Sequence, residues 1–158
     1  MTKRLYAQNT KVPAERSRAE IEGILKRYGA TKFMSGYDET QAVIVFEAYE
    51  RRVRFILPLP DFEDARFTPK GKKRTYIQTE AAHEQEIRRR WRSLAAAIKS
   101  KLDAVETGIT TFEEEFMPHI VLPNGQTVAE YMLPQIDQTY ETGQMPPMLP
   151  MLPGREPQ

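Results

Sequence analysis

Residues 41–58 read "QAVIVFEAYERRVRFILP", and the way this stretch folds decides the architecture. Ile44, Phe46 and Ala48 alternate with Val45 and Glu47, and beyond a polar break Val53, Phe55 and Leu57 alternate with Arg54 and Ile56. A period of two marks half-buried strands, and the short break demands a tight hairpin. With Glu50-Arg51 at the turn, Ala48 faces Val53, Phe46 faces Phe55 and Ile44 faces Leu57, which places six apolar residues on one face. The other face then pairs Tyr49 with Arg52, Glu47 with Arg54 and Val45 with Ile56, and the opposite charges of Glu47 and Arg54 suit cross-strand neighbours. A slip of one residue would destroy both patterns. Glu50-Arg51 is not a favoured dipeptide for a two-residue turn, which makes the turn the weak point of this register.

Working outward, "TKFMSGY" (residues 31–37) is a third strand, set off from the hairpin by turn signals at Gly36 and Asp38. Upstream, Pro13 suits a first helical turn, Ile21, Ile24, Leu25 and Tyr28 share one helical face, and Gly29 is a natural stop. The spacing predicts a helix over 13–28. Downstream, residues 59–78 form a long connection that holds Asp61, Glu63 and Asp64 and then the run Lys70-Gly71-Lys72-Lys73-Arg74. A connection of this length inside a domain is usually functional or disordered. Thr79 is then read as the cap of a helix that carries Ile87, Trp91, Leu94, Ile98, Leu102 and Val105 at spacings of three and four and ends at Gly108. Its stripe would cover the apolar sheet face, and its excess length would project or meet another element. Thr111 with Glu114 and Thr127 with Glu130 have capping-box spacing. They predict a short helix and a last helix over 127–141, whose apolar set is Val128, Tyr131, Met132, Ile136 and Tyr140, with Pro134 as a kink. The expected fold class is therefore α+β: a three-stranded antiparallel sheet preceded by one helix and covered by a long helix (α-β-β-β-α), with C-terminal helices and an irregular Pro/Met-rich tail. The expected divisions are a flexible N-terminus (1–11), a single α+β domain (12–142) and an extended tail (143–158).

Composition narrows the chemistry. The chain has 158 residues, 40% of them hydrophobic and 28% charged, and no cysteine, so disulfides and Cys-based zinc or redox sites are excluded. No apolar run reaches the roughly 18 residues of a membrane span. "MTKRLYAQNT" lacks the apolar core of a signal peptide. The expected location is the cytoplasm of a bacterial host cell, with no membrane partner. The net charge of +1 conceals a separation: residues 51–101 carry fourteen Lys/Arg and six Asp/Glu, whereas residues 102–158 carry one and nine. A basic segment of this kind points to polyanions, unless the two parts neutralise each other in the fold.

The basic constellation is Arg51, Arg52 and Arg54 at the hairpin, Lys70, Lys72, Lys73 and Arg74 in the connection, and Arg88, Arg89, Arg90 and Arg92 at the start of the long helix. Long cationic side chains on one surface would meet phosphates, and Tyr49, Phe67, Tyr76 and Trp91 are interleaved with them; Trp91, on the apolar stripe, belongs rather to the core. The ordinary alternative is a solvated helix face plus a loop. Asp61, Glu63 and Asp64 form a carboxylate group, but Arg52-Val53-Arg54 stands where a magnesium nuclease would carry Glu-x-Lys. His83 and His119 lack the spacing of a zinc site. No nucleophile elbow, P-loop or dinucleotide fingerprint is present, so no catalytic residue, metal or cofactor is expected. In the tail, Met145, Met148, Leu149, Met151 and Leu152 are proline-spaced apolar residues, suited to a groove on a partner or to a free C-terminus.

Residues 88–116, "RRRWRSLAAAIKSKLDAVETGITTFEEEF", and residues 112–136, "FEEEFMPHIVLPNGQTVAEYMLPQI", resemble the C-terminal part of small uncharacterised bacteriophage and prophage proteins. The resemblance covers about a third of the chain and implies a phage or mobile-element setting without an activity to carry over. The order of helix, three strands and helix is also similar in topology to the double-stranded RNA-binding domain, although that family has no long loop before its basic helix. Two functions follow as expectations. The first is a non-catalytic nucleic-acid-binding accessory protein, for DNA or RNA. The alternative is a protein-binding modulator, a host-system inhibitor or an assembly accessory, that uses its acidic C-terminal third (Glu113, Glu114, Glu115, Asp137 and Glu141). A magnesium-dependent nuclease is a distant third. Self-association into a homo-oligomer is compatible with either of the first two.

Overall fold

A computed structural model describes residues 3–64, 67 and 74–145. Helix α1 spans Ala14–Arg27 and is followed by strands β1 (Lys32–Tyr37), β2 (Gln41–Ala48) and β3 (Arg51–Pro58). The long helix α2 (Tyr76–Glu106), the short α3 (Phe112–Phe116), a 3-10 turn (Met117–His119) and α4 (Val128–Thr142) complete the chain. The strands form an antiparallel meander in the order β1-β2-β3. The expected α+β class and its element order are what the molecule adopts.

One sheet face is apolar because of the period-two pattern. Ala42, Ile44, Phe46 and Ala48 of β2 and Val53 and Phe55 of β3 are buried, and α1 and α2 cover them with Ile21, Ile24, Leu25, Trp91, Ala95, Ile98 and Leu102. The end of α2 that outreaches the strands meets α3, where Phe112 and Phe116 close the core. Phe116 stands edge-on to Phe46 and Phe55, with ring centroids 6.0 and 6.2 Å away. The free edge of β3 is also covered: Val53 bridges Ile120, and Val121 N donates to Arg52 O at 2.8 Å. Edges left open invite strand pairing between molecules.

The hairpin register differs from the expected one by two residues. Phe46 opposes Val53, Ile44 opposes Phe55, and Glu47 opposes Arg52 rather than Arg54. The turn is Tyr49-Glu50, with φ of 51° and 60°, the left-handed pair of a type I′ turn. A shift of two preserves which residues face the core, so the burial pattern survives while every cross-strand partner changes. The cap of α2 also differs. Thr75, not Thr79, accepts from Gln78 N while Gln78 Oε1 accepts from Thr75 N, and Thr79 is buried one turn inside. The capping boxes at Thr111–Glu114 and Thr127–Glu130 form as the spacing predicts.

Candidate functional site

The sheet divides the basic residues into two groups. Arg52 and Arg54 point away from the core face, on which α1 and α2 lie, so these two arginines and Arg88–Arg92 sit on opposite sides of the sheet, whereas Arg51 has the parity of Val53 and Phe55. Because α2 begins at Tyr76, Arg88–Arg92 occupy its middle turns rather than its start. Lys70, Lys72 and Lys73 lie outside the described residues.

Most of the described arginines are held by partners within the chain. Arg52 donates from Nε and Nη2 to Glu47 Oε1 at 3.1 and 2.8 Å, and Lys32 Nζ reaches Glu47 Oε2 at 2.6 Å. These contacts, with Lys32 first and Arg52 next, hold the Glu47 carboxyl below the usual range. Arg54, expected to pair with Glu47, instead donates to Gly125 O at 3.0 Å and to Glu130 Oε2 at 2.7 Å. Arg89 makes two bonds of 2.7 Å to Glu86, and Arg90 shares that carboxylate at 3.0 Å. Arg92 grips Glu20 of α1 at 2.6 and 2.8 Å. Arg88 bonds Gln85 at 2.7 Å with Glu84 3.9 Å away, and Arg74 donates to Phe67 O at 3.0 Å. Arg51 and Arg74 are the exceptions in this group: Arg51, exposed at the hairpin, donates only to Glu50 O, and neither meets a carboxylate among the described residues.

The other candidates are scattered. His83 bonds Pro60 O at 2.8 Å between the rings of Phe62 and Phe67. His119 stacks on Phe55 at 4.1 Å, and burial first, Lys101 second, pushes its pKa down. Asp61 Oδ1 accepts from Glu63 N, and no group of three or more metal-ligating side chains occurs among the described residues. Of the apolar tail candidates only Met145 is described, and it is exposed; Met148, Leu149, Met151 and Leu152 lie outside the described residues.

The feature that sequence reasoning missed is on α4. No residue of this 15-residue helix is buried. Tyr131, Met132 and Gln135 are half-buried on its inner side, whereas Leu133, Ile136 and Tyr140 are 54%, 42% and 87% exposed. The exposed three stand at spacings of three and four, a single outward stripe. The expected apolar set of Val128, Tyr131, Met132, Ile136 and Tyr140 does not share one face: the first three are half-buried and the last two are exposed with Leu133. The polar positions beside the stripe are acidic: α4 carries Glu130, Asp137 and Glu141 and no Lys or Arg. Asp137 and Glu141 have no cationic partner among the described residues. Comparison with protein-family models, curated proteins and solved structures returned no match, so the geometry of the chain itself is what a functional reading stands on.

Proposed function

We propose that the chain is a non-catalytic, protein-binding accessory factor of a phage or mobile element that docks α4 on its partner. The observation that carries this reading is a helix that buries none of its residues and keeps Leu133, Ile136 and Tyr140 in water. Apolar stripes of this spacing are the anchors of helix-in-groove recognition. The occupant follows from charge. Two copies of α4 laid together would set the unpaired Asp137 and Glu141 against like charges, so a second copy is a poor match. A partner with an apolar groove rimmed by Lys or Arg is a good one. The phage setting is drawn from the resemblance of residues 88–136.

A photo-crosslinking residue at Ile136, with a control at Glu22 on α1, tests the proposal in host cells. The expected result is one protein captured from position 136 and not from position 22. The purified pair should then bind with an affinity that falls on the order of tenfold or more in Leu133→Asp and Tyr140→Ala, without loss of thermal stability. Crosslinks only to a second copy, or identical captures from both positions, would overturn it. Nucleic-acid binding is the second reading, favoured by Arg51, which has no carboxylate partner. Retention of DNA or RNA by the purified protein, lost as salt rises and weakened by Arg51→Ala, would move it to first place.

A further inference from the structure

A cleft of about 860 Å³ opens between the start of α1, the β1–β2 turn, the chain leaving β3, and α2. It lies at the opposite end of the sheet from the β2–β3 turn and is independent of α4. Its floor is apolar: Trp91 and Ile87 of α2, Ala14 of α1 and Leu59. Two rings stand at its sides, Tyr37, largely exposed, and Phe62. The volume lies within the range of small-molecule sites, whose walls are mostly apolar and aromatic with a few placed polar groups.

The polar groups here are nearly all of one sign. Glu15, Asp38, Glu39 and Asp61 line the cleft against Arg18 and the imidazole of His83, which is bonded to Pro60 O, and neither Arg18 nor any of the four carboxylates forms an ion pair among the described residues. Elsewhere Glu20, Glu47, Glu86, Glu115 and Glu130 each hold a cation of the chain itself. Asp38 is also fixed in place. Its Oδ1 accepts from Thr40 N, Thr40 Oγ1 and Gln41 N at 2.7, 2.7 and 2.9 Å, while Oδ2 has no partner among the described residues. The Thr40 bonds hold its carboxyl below the usual range, so it is charged at neutral pH.

We infer that this cleft binds an organic cation, an ammonium or guanidinium group on an apolar or aromatic body. The body lies over Trp91 and Ile87, the charge sits among Asp38, Glu39 and Asp61, and the faces of Tyr37 and Phe62 add the attraction of an aromatic ring for a cation. The same chemistry is offered by a free amine and by an Arg or Lys beside an aromatic residue in a peptide. An anion of the same body would meet the four carboxylates and be rejected.

The test is a titration of the full chain, followed by amide and indole NMR shifts, with three probes: phenethylamine, 3-phenylpropionate and the peptide acetyl-Phe-Arg-amide. Saturable shifts at the Trp91 indole and the amides of residues 38–41 are expected from at least one of the two cations and not from the carboxylate. Response to the peptide alone would assign the cation to a protein segment, and response to the amine to a free metabolite. Asp38→Asn with Asp61→Asn should weaken binding by roughly fivefold, as two exposed charges would. Glu39→Gln, whose side chain makes no contact that the fold needs, should weaken it in the same direction and guards against a loss that merely reflects misfolding. No saturable shift from either cation, or equal shifts from phenethylamine and phenylpropionate, would overturn the inference.

Discussion

At the scale of the residue, Phe46, Trp91 and His119 show what burial does to three kinds of side chain. Phe46 is 1% exposed and packs edge-on against Phe116, so Phe46→Ala should cost on the order of 3–5 kcal/mol through lost transfer energy and a cavity. Urea denaturation measures this, and a cost below about 1 kcal/mol would place the ring outside the core. Trp91, the only tryptophan, is 4% exposed. Its emission should be blue-shifted and poorly quenched by iodide. His119 has its pKa lowered from 6.5 by burial and by Lys101. The folded state therefore favours the neutral ring, and protonation favours unfolding. This contribution to stability is intact above pH 6.5 and is lost as pH falls through the lowered folded pKa. The drop in Tm between pH 7.5 and 5.5 should be smaller in His119→Gln than in the wild type. An equal drop would assign it to other groups. The paired carboxylates Glu20, Glu47, Glu86 and Glu130 also have lowered pKa values, but they titrate below about pH 4.5 and do not interfere in this window.

Elements depend on how such residues are arrayed, and the β2–β3 hairpin is the clearest case. Alternation assigned the correct residues to the core face, because parity is written in the side chains. It could not distinguish two registers that differ by two, because both keep the same faces. What separates them is turn chemistry, and Tyr49-Glu50 is as atypical as Glu50-Arg51. The structure selects Tyr49-Glu50, with the ring of Tyr49 4.7 Å from Phe112, a contact between segments far apart in sequence that local patterns do not encode. Holding a non-glycine residue in the left-handed region costs about 1–2 kcal/mol, so Glu50→Gly should stabilise the protein by on the order of 1 kcal/mol, read from its urea midpoint. A destabilisation would mean that Glu50 is not in that conformation. The start of α2 was, by contrast, legible: Thr75-Tyr76-Ile77-Gln78 has the capping-box spacing that Thr79 lacks, since Ala82 stands three residues beyond Thr79. Replacing Thr75 by Ala should lower stability by about 1 kcal/mol, and the same change at Gln85, which ties α2 to the carbonyls of Gln8 and Thr10, should loosen amide protection at residues 8–12.

For the whole molecule the question is where its separated charges go. The sequence shows a basic middle and an acidic final third, but not which side chains meet. In the fold, Arg54 meets Glu130 and Lys101 meets Glu115 across that divide, while Arg92 reaches back to Glu20 on α1. Glu86 and Glu47 take up the cations beside them. A phosphate would have to displace these carboxylates, several of them half-buried and bonded at 2.6–2.8 Å. Each cation that does bind a phosphate contributes about −0.7 to −0.9 to the log–log slope of affinity against salt. Of the described arginines of the hairpin, the connection and α2, Arg51 and Arg74 are free of a carboxylate, so the share of this group in the wild-type slope should not exceed about two such contacts. Glu20→Gln combined with Glu86→Gln would release Arg92, Arg89 and Arg90. That variant should bind oligonucleotides more tightly than wild type, with a slope steeper by about two to three contacts, and should melt at a lower temperature. Salt titrations of both proteins on single- and double-stranded oligonucleotides decide the matter. Equal slopes, already steep in the wild type, would mean that the arginines exchange carboxylate for phosphate freely. Nucleic-acid binding would then displace the docking of α4 as the proposed function.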